Sequence, residues 1–161
     1  MIRRGPPRTH HNPDSARFPT RPDYLAAIAA TDYDIVIMDL FHEDADGNPI
    51  SLTAADLAAI RTKRRGGSRL LVCYLSIGEA ESYRYYWQAA WTRASSRPSW
   101  LAEENPDWPG NYKVEYWDPE WQATLLGSDG AYLDRILAAG FDGVYLDIID
   151  AYEYFEAAVG R

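Results

Sequence analysis

Three apolar runs constrain this chain more than anything else in it: Asp34-Ile-Val-Ile-Met-Asp39, Arg69-Leu-Leu-Val-Cys-Tyr-Leu-Ser76 and Gly143-Val-Tyr-Leu-Asp-Ile148. Each is near-continuously hydrophobic and four to eight residues long. That is the signature of a strand buried on both faces, as in parallel sheets. Helix-length segments separate them. Thr20 caps a short helix reaching about Ala30, with Pro22 in its first turn. Thr53 caps another, with Asp56 at the capping-box position, Leu57 and Ile60 on the core side, and Gly66-Gly67 at its end. Asp118-Pro119-Glu120 opens a third, 129–139 forms a fourth that stops at Gly140, and a last helical stretch starts at Ala151. Strands alternating with helices predict an α/β fold with a parallel sheet.

The remaining segments are polar or aromatic. Residues 1–20 are rich in Arg, Pro and His without period and predict a disordered tail, leaving 21–161 as one domain. His10 and His11 have no third metal ligand nearby. His42 to Pro49 reads as a polar loop; the glycine at 47 is misplaced for a calcium loop, so turn chemistry accounts for Asp44, Asp46 and Asn48. Between Tyr83 and Trp121 there are eleven aromatics in 39 residues. The expectation there is a helix near 83–94, a long irregular loop and a short strand at 112–117. Trp100, Trp108, Trp117 and Trp121 are candidates for a cleft wall.

Composition narrows the partners. The net charge is −8, and Lys63-Arg64-Arg65 is placed in the last turn of a helix, where it suits the helix dipole. Nucleic acid and anionic membrane are therefore poor partners. An acidic surface tolerates neutral sugars and attracts cationic ones. The lone cysteine, Cys73, lies in an apolar run and reads as a small hydrophobe. No stretch is long enough to span a membrane, and no secretory signal is recognisable.

Each strand runs into acid: Asp39 after the first, Glu79 and Glu81 after the second, Asp147 and Asp150 at the third. In parallel α/β folds the loops after strand C-termini build the site, so these acids converge on one mouth. A glycosidase needs two carboxylates flanking the scissile bond. Asp147 lies within an apolar run, where an ionised group is costly to bury without a purpose. Glu79 follows Gly78, whose freedom lets the chain bend and aim it. Glu81 reads first as surface and Asp150 first as a helix cap.

The run from Tyr74 to Trp87, the run from Asn105 to Trp121 and Gly140-Phe-Asp-Gly-Val-Tyr-Leu-Asp-Ile-Ile-Asp-Ala-Tyr-Glu-Tyr-Phe155 together resemble glycoside hydrolase family 114, the endo-α-1,4-polygalactosaminidase-like group, over about 22–158. The resemblance implies a (β/α)8 TIM barrel of which this chain holds the N-terminal half. It implies hydrolysis of α-1,4-linked galactosamine-containing polysaccharide without metal or organic cofactor. Asp147 matches the catalytic aspartate, and Glu79 is the candidate second catalytic carboxylate. Asp39, Glu81, Tyr74, Tyr83, Trp117, Tyr145 and Asp150 are the candidate substrate-binding residues. Members continue beyond the final helix with further strands, one of which supplies a catalytic glutamate. Many are extracellular. A barrel half has an open edge, so the chain is expected to self-associate or to be completed by the missing half. A non-catalytic polysaccharide-binding module and an inactive fragment are the alternatives.

Overall fold

The structure is a computed structural model and describes residues 17, 18, 20–44 and 46–159. The expected tail therefore lies almost wholly outside the described residues. Helix α1 (Arg21–Ala29) starts where Thr20 accepts the Asp23 amide and Pro22 presets the first turn. Strand β1 (Ile35–Met38) leads into a hairpin, β2 (Phe41–Glu43) and β3 (Pro49–Ser51). The segment expected as a loop thus pairs across a turn. The Asp44 side chain accepts the amides of Asp46 and Asn48, and Gly47 takes φ +81°. Helix α2 (Ala54–Ile60) carries the complete capping box of Thr53 and Asp56 and buries Leu57 and Ile60. It ends before Lys63. Those basic residues serve ion pairs instead of a helix dipole: Lys63 meets Asp34, and Arg64 and Arg65 meet Asp32.

Strand β4 (Leu70–Ser76) pairs in parallel with β1 and, on its other side, with β8 (Gly143–Asp147). The order β1-β4-β8 puts the long strand in the centre and brings all three C-terminal ends to one side. Between β4 and β8 lies the aromatic segment, and it is not an irregular loop. It forms an antiparallel sheet of β5 (Glu79–Glu81), β7 (Asn111–Val114) and β6 (Leu101–Glu104) in the order β5-β7-β6. The helix expected near 83–94 is replaced by turns and two 3-10 segments, Ala89–Thr92 and Ala94–Ser96. Side chains there are drawn to separate partners: Tyr83 to Glu81, Tyr85 to the Gly130 carbonyl, Tyr86 to the Glu81 amide. These side-chain bonds, two to Glu81 and one to distant Gly130, outweigh local helix preference. Helices α3 (Pro119–Leu125), α4 (Tyr132–Ala139) and α5 (Ala151–Val159) complete the described chain, with Gly140 closing α4 in the left-handed conformation.

The parallel sheet is two-faced, contrary to the expectation of burial on both sides. Met38, Leu71, Cys73 and Leu75 are buried against the helices. The opposite face carries Ile35, Ile37, Leu70 and Tyr145, each 48–55% exposed. Among the described residues nothing covers it. Trp100 and Trp121, expected at a cleft wall, belong to the core instead, tilted against each other at 5.2 Å between ring centroids. Among the described residues no helix is long and apolar enough to cross a membrane.

Candidate active site

A cleft of about 620 Å³ opens at the C-terminal ends of β1, β4 and β8. Its lining includes Asp39, Tyr74, Glu79, Glu81, Tyr83 and Asp147 from the expected set and Trp108 from the expected cleft wall, with Arg84, Asn111 and Ile148 besides. Strand register explains the gathering. Ser76 is paired with Asp147 and Tyr74 with Tyr145, so Tyr74 and Asp147 rise from the same face of neighbouring strands. The Tyr74 hydroxyl donates to Asp147 Oδ2 at 2.7 Å. Burial raises the Tyr74 phenol above its ordinary range, reinforced by Glu81 and Asp147, so it stays a donor.

The chain after Asp147 is strained. Ile148 has φ +57°, which is costly for a β-branched residue. Its carbonyl seats against Gly78, where an added Cβ would sit 2.4 Å from that oxygen. The Ile77 amide donates to the Asp147 carbonyl at 3.1 Å. These contacts lock the end of β8 to the loop that leads into Glu79.

Arg84 organises the opposite side. Its Nη1 donates to Asp39 Oδ1 at 2.7 Å, and its Nε to Glu81 Oε2. The guanidinium stands over the rings of Tyr83, Tyr132 and Phe41, 5.0–5.8 Å from their centroids. Burial acts to lower its pKa, but Glu81 and Asp39 outweigh that and raise it. Glu81, read as a surface group, is instead 2% exposed, with its second oxygen accepting from the Tyr83 hydroxyl at 2.6 Å. Desolvation, then Glu81, pushes the Tyr83 phenol up.

Glu79 is fully buried. Its Oε1 accepts from Lys113 Nζ and Asn105 Nδ2, and its Oε2 from Asn111 Nδ2. Of the carboxylates in the cleft, Asp39 Oδ2 and Asp147 Oδ1 are the oxygens that accept no hydrogen bond among the described residues. Three of the expected substrate-binding residues lie outside the cleft. Trp117 packs edge-on against Phe155 and Tyr116, Tyr145 stands lower on the bare sheet face, and Asp150 is exposed at the start of α5. Arg84 and Lys113 were not anticipated. The i, i+3 spacing of Arg84 from Glu81 was a readable signal; Lys113 required knowing that β5 and β7 pair. Among the described residues no group of three or more His, Cys, Asp or Glu is arranged to hold a metal ion.

A mixed α/β fold with acids gathered at the ends of parallel strands is an arrangement in which carboxylates can flank a bound glycan. The model of glycoside hydrolase family GH114 matches residues 11–159, and the chain belongs to that family. It is 48% identical over 129 residues to an uncharacterized protein of Deinococcus radiodurans, which covers 80% of this chain and 37% of the relative. It is 36% identical over 128 residues to the uncharacterized protein MJ1477 of Methanocaldococcus jannaschii, covering 80% and 34%. The chain thus spans about a third of the length of these curated relatives. Among solved structures it is similar to Aspergillus fumigatus Ega3 in complex with galactosamine. The TM-score is 0.52 at 27% identity, over 76% of this chain and 39% of that one.

Proposed function

We propose that residues 21–161 form the N-terminal part of a (β/α)8 barrel that hydrolyses α-1,4-linked galactosamine-containing polysaccharide, with Asp147 as a catalytic carboxylate. The observation that carries this is Asp147 at the end of β8, steadied by Tyr74 and facing the same cleft as Asp39, each with one oxygen open to a ligand. Carboxylates on two sides of a cleft are what glycoside hydrolysis requires. An acidic cleft suits a cationic amino sugar, and the Ega3 complex holds galactosamine.

The barrel reading draws support from the bare face of Ile35, Ile37, Leu70 and Tyr145 and from the outer edges of β1 and β8, which pair with no strand among the described residues. Further strands pairing at those edges would bury that face as the inside of a barrel. Until they do, the face favours self-association. The saturation of Glu79 and Glu81 favours a second reading, a wall that binds sugar while another segment supplies the partner carboxylate.

The test is reducing-end release from α-1,4-polygalactosamine, together with binding of the same polymer, for the parent chain and Asp147→Asn. Hydrolysis by the parent that falls at least about a hundredfold in the variant, with binding retained, is the expected result. Binding without turnover in both selects the second reading. Full activity in Asp147→Asn removes Asp147 from the chemistry.

A further inference from the structure

We infer that Trp108 is a sugar-stacking residue of the cleft and that Glu79 serves it as a positioning residue, clamping the loop that carries it. The inference rests on the carbohydrate reading above and assigns the two residues roles within it.

Residues 105–110 join β6 to β7 with no slack. The Asn105 amide donates to the Asn111 carbonyl at 2.7 Å, the Asn111 amide to the Trp108 carbonyl at 3.0 Å, and the Trp108 amide to the Asn105 carbonyl at 3.2 Å. The Gly110 amide donates to Glu104 Oε1 at 2.6 Å, and Gly110 takes φ +92° to make the return. Both ends of the loop hold one buried anchor. Asn105 Nδ2 and Asn111 Nδ2 donate to the two oxygens of Glu79, and Lys113, directly across the strand pair, balances its charge. Every oxygen of Glu79 is engaged, and the residue is 0% exposed. A carboxylate so held cannot reach a ligand; its effect is mechanical.

At the tip of this braced loop stands Trp108, 63% exposed and lining the same cleft as Asp39, Tyr74 and Asp147. A single exposed aromatic needs no explanation by itself. This one sits on a loop whose backbone is already ordered, so stacking a ring on it costs little further entropy. The indole face offers an apolar platform to the C–H face of a sugar whose polar groups meet the open oxygens of Asp39 and Asp147.

Calorimetric titration of the full chain with an α-1,4-linked galactosamine oligosaccharide tests both roles. Trp108→Ala is expected to weaken binding about tenfold, and Trp108→Phe by less than about threefold, because a flat apolar face remains. Glu79→Gln is expected to weaken binding several-fold and to speed amide exchange across 105–111, which Trp108→Ala leaves unchanged. Asn105→Ala, which releases one arm of the clamp, should do the same in milder form and serves where Glu79→Gln fails to fold. A parent that binds while Trp108→Ala binds equally well defeats the stacking role and leaves the cleft reading standing. Unchanged exchange in both clamp variants defeats the positioning role. Absence of binding by the folded parent overturns the inference and the functional reading together.

Discussion

Arg84→Ala is expected to cost about 3–5 kcal/mol of folding stability, a large share of what a domain of this size possesses. The reason is the company Arg84 keeps. It is buried at 6% exposure, and its guanidinium answers the buried Glu81 and the half-buried Asp39. Deleting it leaves Glu81 charged, dry and supported by a single tyrosine hydroxyl. The double substitution Arg84→Met with Glu81→Gln removes both charges and is expected to recover part of the loss. Urea unfolding of the parent and both variants checks this. A loss below about 1 kcal/mol for Arg84→Ala would mean that water reaches Glu81 and that the network is not a closed one.

Trp121→Ala is expected to cost a similar amount, about 3–5 kcal/mol, by leaving a large cavity in the core. Trp121 is 0% exposed and touches Trp100 and Tyr86, at 5.2 and 5.7 Å between centroids. It also donates its indole N–H to the Ile77 carbonyl at 2.9 Å, one residue before Gly78. The side chain therefore ties helix α3 to the loop against which Ile148 rests. Trp121→Phe keeps most of the packing and strands the carbonyl, so about 1–3 kcal/mol is expected from it. Thermal melts of the two variants separate the packing contribution from the hydrogen bond. Equal effects would show that the hydrogen bond, not the packing, carries the loss; no effect from Trp121→Phe would show that the hydrogen bond carries nothing.

What could be read from residues alone follows from the range of each interaction. The three strands of the parallel sheet are written in contiguous apolar runs, and Thr20, Thr53, Asp118 and Gly140 mark helix ends through bonds to their own neighbours. The rule that strand C-termini share a mouth carried Asp39, Glu79, Glu81 and Asp147 to one cleft. Of the antiparallel sheet only β7 was legible, as the short strand expected at 112–117; β5 and β6 were not, because they are three or four residues long and the pairing is made at a distance, Glu79 with Lys113 and Glu81 with Asn111. No local period records such a register. The same gap hid the burial of Glu81, which became tolerable only once Arg84 and Tyr83 folded over it. Trp121 and Trp100 looked like a sugar platform because an aromatic-rich stretch does not announce which rings turn inward.

The most direct test of the account is where a ligand settles. Amide chemical-shift mapping of the chain with an α-1,4-linked galactosamine oligosaccharide should perturb Asp39, Tyr74, Trp108 and Asp147 together, at the C-terminal ends of β1, β4 and β8. Perturbations confined to the β2–β3 hairpin or to the helix-covered side of the sheet, with the cleft silent, would contradict it.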